Sequence, residues 1–305
     1  MKIILTGGTG LIGTDICKAL IKAGHTVYAT SRKVQKSTDV HLKWIATDFN
    51  NFHPSIFDTI KEQVDVLIHN AGAIETATID NLASIRKVNI DFTSELFDWA
   101  IQKNIKTILY ISSFSTLQKP FPALITEQST LAPITMYSMS KHWGEVLLNE
   151  YSKHHSFRKL IIRVSSPICF DFNRLHNNVV KKMMRAGIDK NPIKVFGKGN
   201  REQNFIATTD IAEAIIRALE NINAEGVFNV ASDSPITMEN LAMLIANKFS
   251  VPVKFEGDDI LENEQWNIST TRAKELFGFN PIFGTSEEVI KNLLTNFTNE
   301  NRNIK

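Results

Sequence analysis

The stretch Lys2-Ile-Ile-Leu-Thr-Gly-Gly-Thr-Gly-Leu-Ile-Gly13 (KIILTGGTGLIG, residues 2–13) decides how this chain is read. An apolar run over 2–5 is strand-like and an amphipathic stretch over 11–23 is helix-like, with glycines at 7, 8, 10 and 13 where the two meet. A mononucleotide loop of the form G-x-x-x-x-G-K-[ST] needs a lysine that reaches the terminal phosphates. Gly8 and Gly13 have that spacing, but Thr14 and Asp15 follow, so this reading fails. A dinucleotide loop needs one glycine for the turn, one for close approach to a pyrophosphate and one for helix–strand packing. Backbone N–H groups at the helix start then face the anion. Gly7-x-x-Gly10-x-x-Gly13 offers these, which makes Gly7, Thr9, Gly10, Leu11 and Ile12 candidate cofactor-binding residues.

The second strand-like run, 26–30, leads into Ser31-Arg32-Lys33. A carboxylate at its end would hold the ribose hydroxyls of NAD. Two cations stand there instead, and a guanidinium can bond two oxygens of a 2′-phosphate at once. Ser31, Arg32 and Lys33 therefore predict NADP(H) in preference to NAD(H), with NAD possible.

Further strands are predicted at 43–46, 64–69, 106–111 and 159–163, and helices at 79–102 and 137–154. Strands of four to six residues separated by helical patterns predict an α/β, Rossmann-like doubly wound parallel sheet. Beyond about residue 165 the elements shorten, with Asn191-Pro192 and 197–200 as punctuation, while a helix over 209–221 and a strand over 227–230 are apolar enough to return to the main sheet. The expected organisation is a dinucleotide-binding domain over 1–165 plus about 205–232. A smaller C-terminal α/β substrate subdomain would take about 166–204 and 233–305.

Composition narrows the partners. Across 305 residues, 34 Lys and Arg stand against 32 Asp and Glu, a net charge of +2. That balance gives no electrostatic case for nucleic acid or a membrane surface, and no apolar run is long enough to span a bilayer. The two cysteines, Cys17 and Cys169, have no metal spacing, and the eight histidines form no H-x-x-x-H pair. A small-molecule substrate, no metal and a cytoplasmic setting are expected.

Chemistry enters with Tyr137-Ser-Met-Ser-Lys141, a phenol and an ammonium one helical turn apart and so on one face. A phenol titrating near pH 10 is a poor acid–base group at neutral pH, and a neighbouring cation is expected to favour its anion. Ser112-Ser113 closes the strand over 106–111, at the carboxyl edge where open α/β sheets place ligands.

In this order the motifs resemble those of the extended short-chain dehydrogenases/reductases, the NAD(P)-dependent epimerase/dehydratase family, over nearly the whole chain. Thr6-Gly-Gly-Thr-Gly-Leu-Ile-Gly13 is similar to the nucleotide loop, Asp48-Phe49 to the adenine-contacting position, and His69-Asn-Ala-Gly72 to the fourth-strand motif. Tyr110-Ile-Ser-Ser113 resembles the active-site strand, and Glu127 through Pro133 to Tyr137-x-x-Ser140-Lys141 is the most specific match. Ser269-x-x-Arg-Ala-Lys-Glu-Leu-Phe-Gly278-x-x-Pro281 resembles the closing signature. The resemblance implies Ser113, Tyr137 and Lys141 as catalytic residues. Tyr137 would exchange a proton with the substrate while hydride passes to or from the nicotinamide. Lys141 would bond the nicotinamide ribose, and Ser113 would position the substrate oxygen. It adds Asp48, Phe49, Asn70, Ala71, Gly72, Asn89 and Ser166 as cofactor contacts, and implies a homodimer.

The sequence also departs from that family. Phe114 and Ser115 stand where dehydratases carry a proton-donating acid, which disfavours dehydration. Ser166 and Gln203 replace an Asn and an Arg of the sugar-diphosphate clamp, leaving Ser113, Phe114, Asn177, Asn178, Arg201 and Gln203 as candidate substrate contacts. The expected activity is a reductase on a nucleotide-linked sugar or related carbonyl. The alternatives are a nucleotide-sugar epimerase that keeps NAD and, from another class, a non-catalytic NADP-binding sensor or scaffold.

Overall fold

The computed structural model describes residues 1–33, 35–47, 52–74 and 79–297. Seven parallel strands form the main sheet: β1 (Lys2–Thr6), β2 (Thr26–Ser31), β3 (Leu42–Ala46), β4 (Val66–His69), β5 (Thr107–Ser113), β6 (Arg158–Val164) and β11 (Gly226–Val230). Their order is β11-β6-β5-β4-β1-β2-β3, so the chain winds one way from β1 and the other way from β4. The switch point lies between Thr6–Gly7 and His69–Asn70, at the carboxyl ends where such sheets bind ligands.

Alternation along the strands explains why both faces are covered. Ile3, Leu5, Val66, Ile68, Leu109 and Ile111 point into one apolar core with α1 (Gly13–Lys22), α6 (Thr208–Glu220) and α8 (Thr271–Phe277). Their neighbours Ile4, Leu67, Ile108 and Tyr110 point into a second core with α3 (Phe92–Gln102) and α4 (Met136–His154). The helix read as continuous over 79–102 is α2 (Ile79–Ile85), a wide π turn over Arg86–Asp91, and then α3.

A third apolar cluster gathers α5 (Val179–Ile188), α7 (Met238–Phe249) and α9 (Ser286–Asn296). Three short strand pairs accompany it: β7 (Ser166–Ile168) with β10 (Phe205–Ala207), β8 (Ile193–Phe196) with β13 (Val253–Glu256), and β9 (Glu202–Gln203) with β12 (Ile236–Thr237). The cluster draws mostly on residues 166–204 and 233–305, but Phe205 and Ala207 of β10 pack in it too, and α8 and Phe279 pack on the main sheet's core. Among the described residues no helix is long and apolar enough to cross a membrane.

Candidate active site

The glycine loop leaves β1 at the switch point. Gly7 takes a left-handed φ of 72°, and its N–H donates to Thr30 Oγ1 at 2.8 Å. The N–H of Gly10 returns to Gly7 O at 3.0 Å. A Cβ at Gly13 would lie 2.0 Å from Gly7 O, so only glycine lets α1 start this close to the strand. Among the described residues no side chain caps α1, and the carboxylate of Asp15 in its first turn accepts from the Thr208 hydroxyl at 2.6 Å. Among the described residues no hydrogen-bond partner is recorded for the N–H groups of Leu11 and Ile12. A helix start with open N–H groups, kept clear by glycines, fits the pyrophosphate of a dinucleotide.

On the β2 side, buried Ser31 accepts from Thr9 Oγ1 at 3.4 Å and from the Lys33 N–H at 3.3 Å. Arg32 and Lys33 are exposed, and neither forms an ion pair among the described residues. Asp48 and Phe49 lie outside the described residues.

On the β4 side, the hydroxyl oxygen of buried Thr6 accepts from Asn70 N–H at 3.1 Å and Ala71 N–H at 3.0 Å. Its proton is then directed at His69 Nδ1, 2.8 Å away, which assigns the other ring N–H to Thr93 Oγ1, also at 2.8 Å. Burial, helped by the charge of Lys141, holds the His69 pKa well below the ordinary imidazole value, so this ring is a neutral strut. Asn70 Nδ2 donates to Gly7 O at 3.2 Å, joining the two loops. Asn89, buried in the π turn, accepts from Ala73 N–H at 2.7 Å and donates to Ala73 O and Ser140 Oγ, both at 3.0 Å. It fixes the Gly72 loop against α4, while Gly72 itself lies beside Lys141.

Helix α4 starts on a capping box. Thr135 Oγ1 accepts from Ser138 N–H at 3.2 Å, and Ser138 Oγ accepts from Thr135 N–H at 2.9 Å. That start places Tyr137 and Lys141 against the end of β5. The half-buried Tyr137 phenol faces the Ser113 hydroxyl, which favours its anion. Lys141 is buried, with its Nζ donating to Ile111 O at 2.9 Å and lying 5.0 Å from the Tyr110 ring centre. Burial lowers Lys141 to about 8, with Glu145 opposing. Burial also pushes Tyr137 up to about 12, with Ser113 opposing. The sequence predicts a phenol depressed by Lys141, but in the free protein desolvation dominates and the opposing influence comes from Ser113, while Lys141 donates to Ile111 O.

Ser112 and Ser113 separate by alternation. Ser113 faces Tyr137, whereas Ser112 donates to Glu145 Oε1 at 2.5 Å in the interior. Glu145 also accepts from Arg163 Nε at 3.0 Å and Nη2 at 2.7 Å, and Arg163 Nη1 donates to Glu127 O at 3.0 Å. Sequence reading missed this network. The only local signal is that Glu145 lies one turn beyond Lys141 on the same helix face.

The candidate substrate contacts disperse. The Phe114 ring fills an apolar cluster with Leu117 and Ile125 and lies 6.4 Å from Trp266, so its side chain is part of the core. Asn178 caps α5, accepting from Lys181 N–H at 3.0 Å, which gives its side chain a structural partner; Asn177 is exposed. Gln203 donates to Ser166 Oγ at 2.7 Å. Arg201 pairs with Asp259 at 2.8 Å on the wall of a cavity of about 260 Å³, which Lys182, Lys194 and Phe196 also line. None of Ser113, Tyr137, Lys141 or the glycine loop lines that cavity.

Residues 3–231 match the model of the NAD dependent epimerase/dehydratase family. Among curated proteins the chain is similar to UDP-glucuronic acid decarboxylase 2 of Arabidopsis thaliana, 23% identical over 298 residues and covering 92% of this chain. The match spans 65% of that plant protein's length. UDP-glucose 4-epimerase of Mycolicibacterium smegmatis is 22% identical over 304 residues, covering 95% of this chain and 97% of its own. Among solved structures, UDP-glucuronic acid 4-epimerase of Bacillus cereus, in complex with UDP-glucuronic acid and NAD, superposes with a TM-score of 0.84. It is 19% identical and covers 97% of this chain and 98% of its own.

Proposed function

The chain belongs to the NAD dependent epimerase/dehydratase family and is an enzyme of the extended short-chain dehydrogenase type, and from that premise we propose that it is an NAD-dependent epimerase acting on a nucleotide sugar. The observation that carries this reading is the Tyr137 phenol facing Ser113 at the carboxyl edge of β5, one helical turn from the buried Lys141. Relatives named as epimerases match nearly end to end, which favours the epimerase over the reductase that the basic turn after β2 suggests.

Bound NAD would supply reversible hydride exchange with a sugar carbon. Tyr137 removes the proton from the hydroxyl on that carbon as the carbonyl forms and returns it when the hydroxyl reforms. Ser113 bonds the same oxygen and fixes its distance from the phenol. Lys141 offsets the phenolate charge and holds the ribose of the cofactor, while Asn89 keeps the Gly72 loop beside it. Protons and electrons balance over one cycle, so no outside oxidant or reductant is consumed. Exposed Arg32 and Lys33 support a second element of the reading, that the site also accepts the 2′-phosphate of NADP. Met139, Trp143 and Val146 form an exposed apolar stripe on α4, which supports pairing of two copies, to be checked by light scattering.

The test is to analyse nucleotide released from the purified protein and to incubate it with UDP-glucose, UDP-N-acetylglucosamine and UDP-glucuronic acid. The expected result is retained NAD and formation of a C4 epimer without added reductant. A stoichiometric requirement for NADPH would restore the reductase instead.

A further inference from the structure

The glycine loop is gripped from outside by a residue of the other subdomain. Arg174, in the segment between β7 and α5, donates from Nη2 to Leu11 O at 2.9 Å and to Gly10 O at 3.3 Å. These carbonyls belong to the peptide units Gly10–Leu11 and Leu11–Ile12. The N–H ends of the same two peptides are those left open at the start of α1. Arg174 is half-buried and makes no ion pair among the described residues, so its charge is not cancelled by a contacting carboxylate. Asp171, the nearest acid along the chain, bonds Asn173 N–H, and Asp15, in the first turn of α1, bonds Thr208.

We infer that Arg174 is a positioning residue for the cofactor diphosphate, acting through the peptide groups Gly10–Leu11 and Leu11–Ile12. A cation at the carbonyl end of a peptide polarises its N–H, and hydrogen bonds in series strengthen one another. The series runs from guanidinium to carbonyl, through the peptide, from N–H to phosphate oxygen. The side chain also pins the loop to the segment that leads into α5, past Asn177 and Asn178. Cofactor affinity therefore depends on a residue that touches no cofactor atom and comes from the substrate subdomain. This rests on the dinucleotide reading of the loop given above.

The experiment compares Arg174→Ala and Arg174→Gln with the whole wild-type protein, stripped of nucleotide. Calorimetric titrations use NADH, ADP and adenosine as probes, and thermal unfolding is measured without ligand. Gln keeps a polar side chain but removes the charge, and its amide ends two bonds short of Nη2, so it decides the matter if the Ala variant does not fold. The expected result is affinity for NADH and ADP weakened about tenfold in both variants, about 1.4 kcal/mol, with adenosine affinity unchanged. NADH and ADP affinities within twofold of wild type in the Gln variant would overturn the inference. So would an equal loss for adenosine, which would mark general damage to the site. If wild-type protein binds neither NADH nor ADP, the dinucleotide reading fails and this inference falls with it.

Discussion

Replacing Lys141 by Met should change stability in a way that only a desolvated ammonium predicts. The side chain is buried, and burial lowers its pKa from the ordinary 10.5 to about 8. At about 1.36 kcal/mol per pH unit, folding with the lysine charged carries roughly 3 kcal/mol of penalty relative to the neutral form. The sign follows from proton counting. Between about pH 8 and 10.5 the unfolded chain keeps a proton on this lysine that the folded protein has shed, so wild-type stability rises across that window. Methionine has similar length and nothing to titrate, but it leaves Ile111 O without its 2.9 Å donor, a cost of about 1–3 kcal/mol. The two terms nearly cancel in absolute stability, so the pH dependence is the decisive quantity. Relative to wild type, Lys141→Met should lose roughly 3 kcal/mol between pH 7 and pH 10.5. Tyr137 and Cys17, both pushed up to about 12 by burial, are present in both proteins and drop out of the comparison. The assay is urea unfolding of nucleotide-free protein at closely spaced pH values. A stability difference that is flat with pH, or that grows in favour of Met as pH rises, would refute the reasoning.

Three further outcomes are expected. Glu145→Gln leaves Arg163 charged and buried, the two side chains being 2% and 4% exposed, so it should cost about 3–5 kcal/mol. The double variant Glu145→Gln/Arg163→Met should recover most of that loss in urea unfolding; an additive further loss would contradict the pairing. Gly13→Ala places a Cβ 2.0 Å from Gly7 O, so NADH affinity measured by nicotinamide fluorescence should fall at least about tenfold. Unchanged binding would show that the loop is not the cradle. Arg32→Ala should weaken NADPH about tenfold and leave NADH within twofold, while equal effects on both would remove Arg32 from the 2′-phosphate.

What the sequence made legible is local. The spacing of Gly7, Gly10 and Gly13 after an apolar run identifies the strand, turn and helix because each glycine answers a demand made within a dozen residues. The i, i+4 relation of Tyr137 and Lys141 likewise follows from helix geometry alone, and period-two alternation was available to separate Ser112 from Ser113. The unread features depend on contacts distant in sequence. The π turn forms where Asn89 bonds the 73 loop and Ser140, 51 residues away. Arg163 meets Glu145 only because β6 lies under α4. Arg174 reaches a carbonyl 164 residues earlier. Burial, too, is tertiary: it reverses the expected effect on Tyr137, because a sequence shows the neighbouring cation but not the lost water. The burial of the Phe114 ring is unread for the same reason: its position beside Ser113 is readable, its packing against Leu117 and Ile125 is not.

The central claim is that Tyr137 moves the proton in a redox cycle that returns the same hydrogen to the sugar. The most direct test is NMR of UDP-glucose, UDP-N-acetylglucosamine and UDP-glucuronic acid incubated in D2O with NAD-loaded wild type and with Tyr137→Phe. The account predicts a C4 epimer from at least one of them with no deuterium at C4, and a rate lower by about 10²–10⁴ in Tyr137→Phe with NAD still bound. Deuterium at C4, or epimer formed at the wild-type rate by Tyr137→Phe, would contradict it.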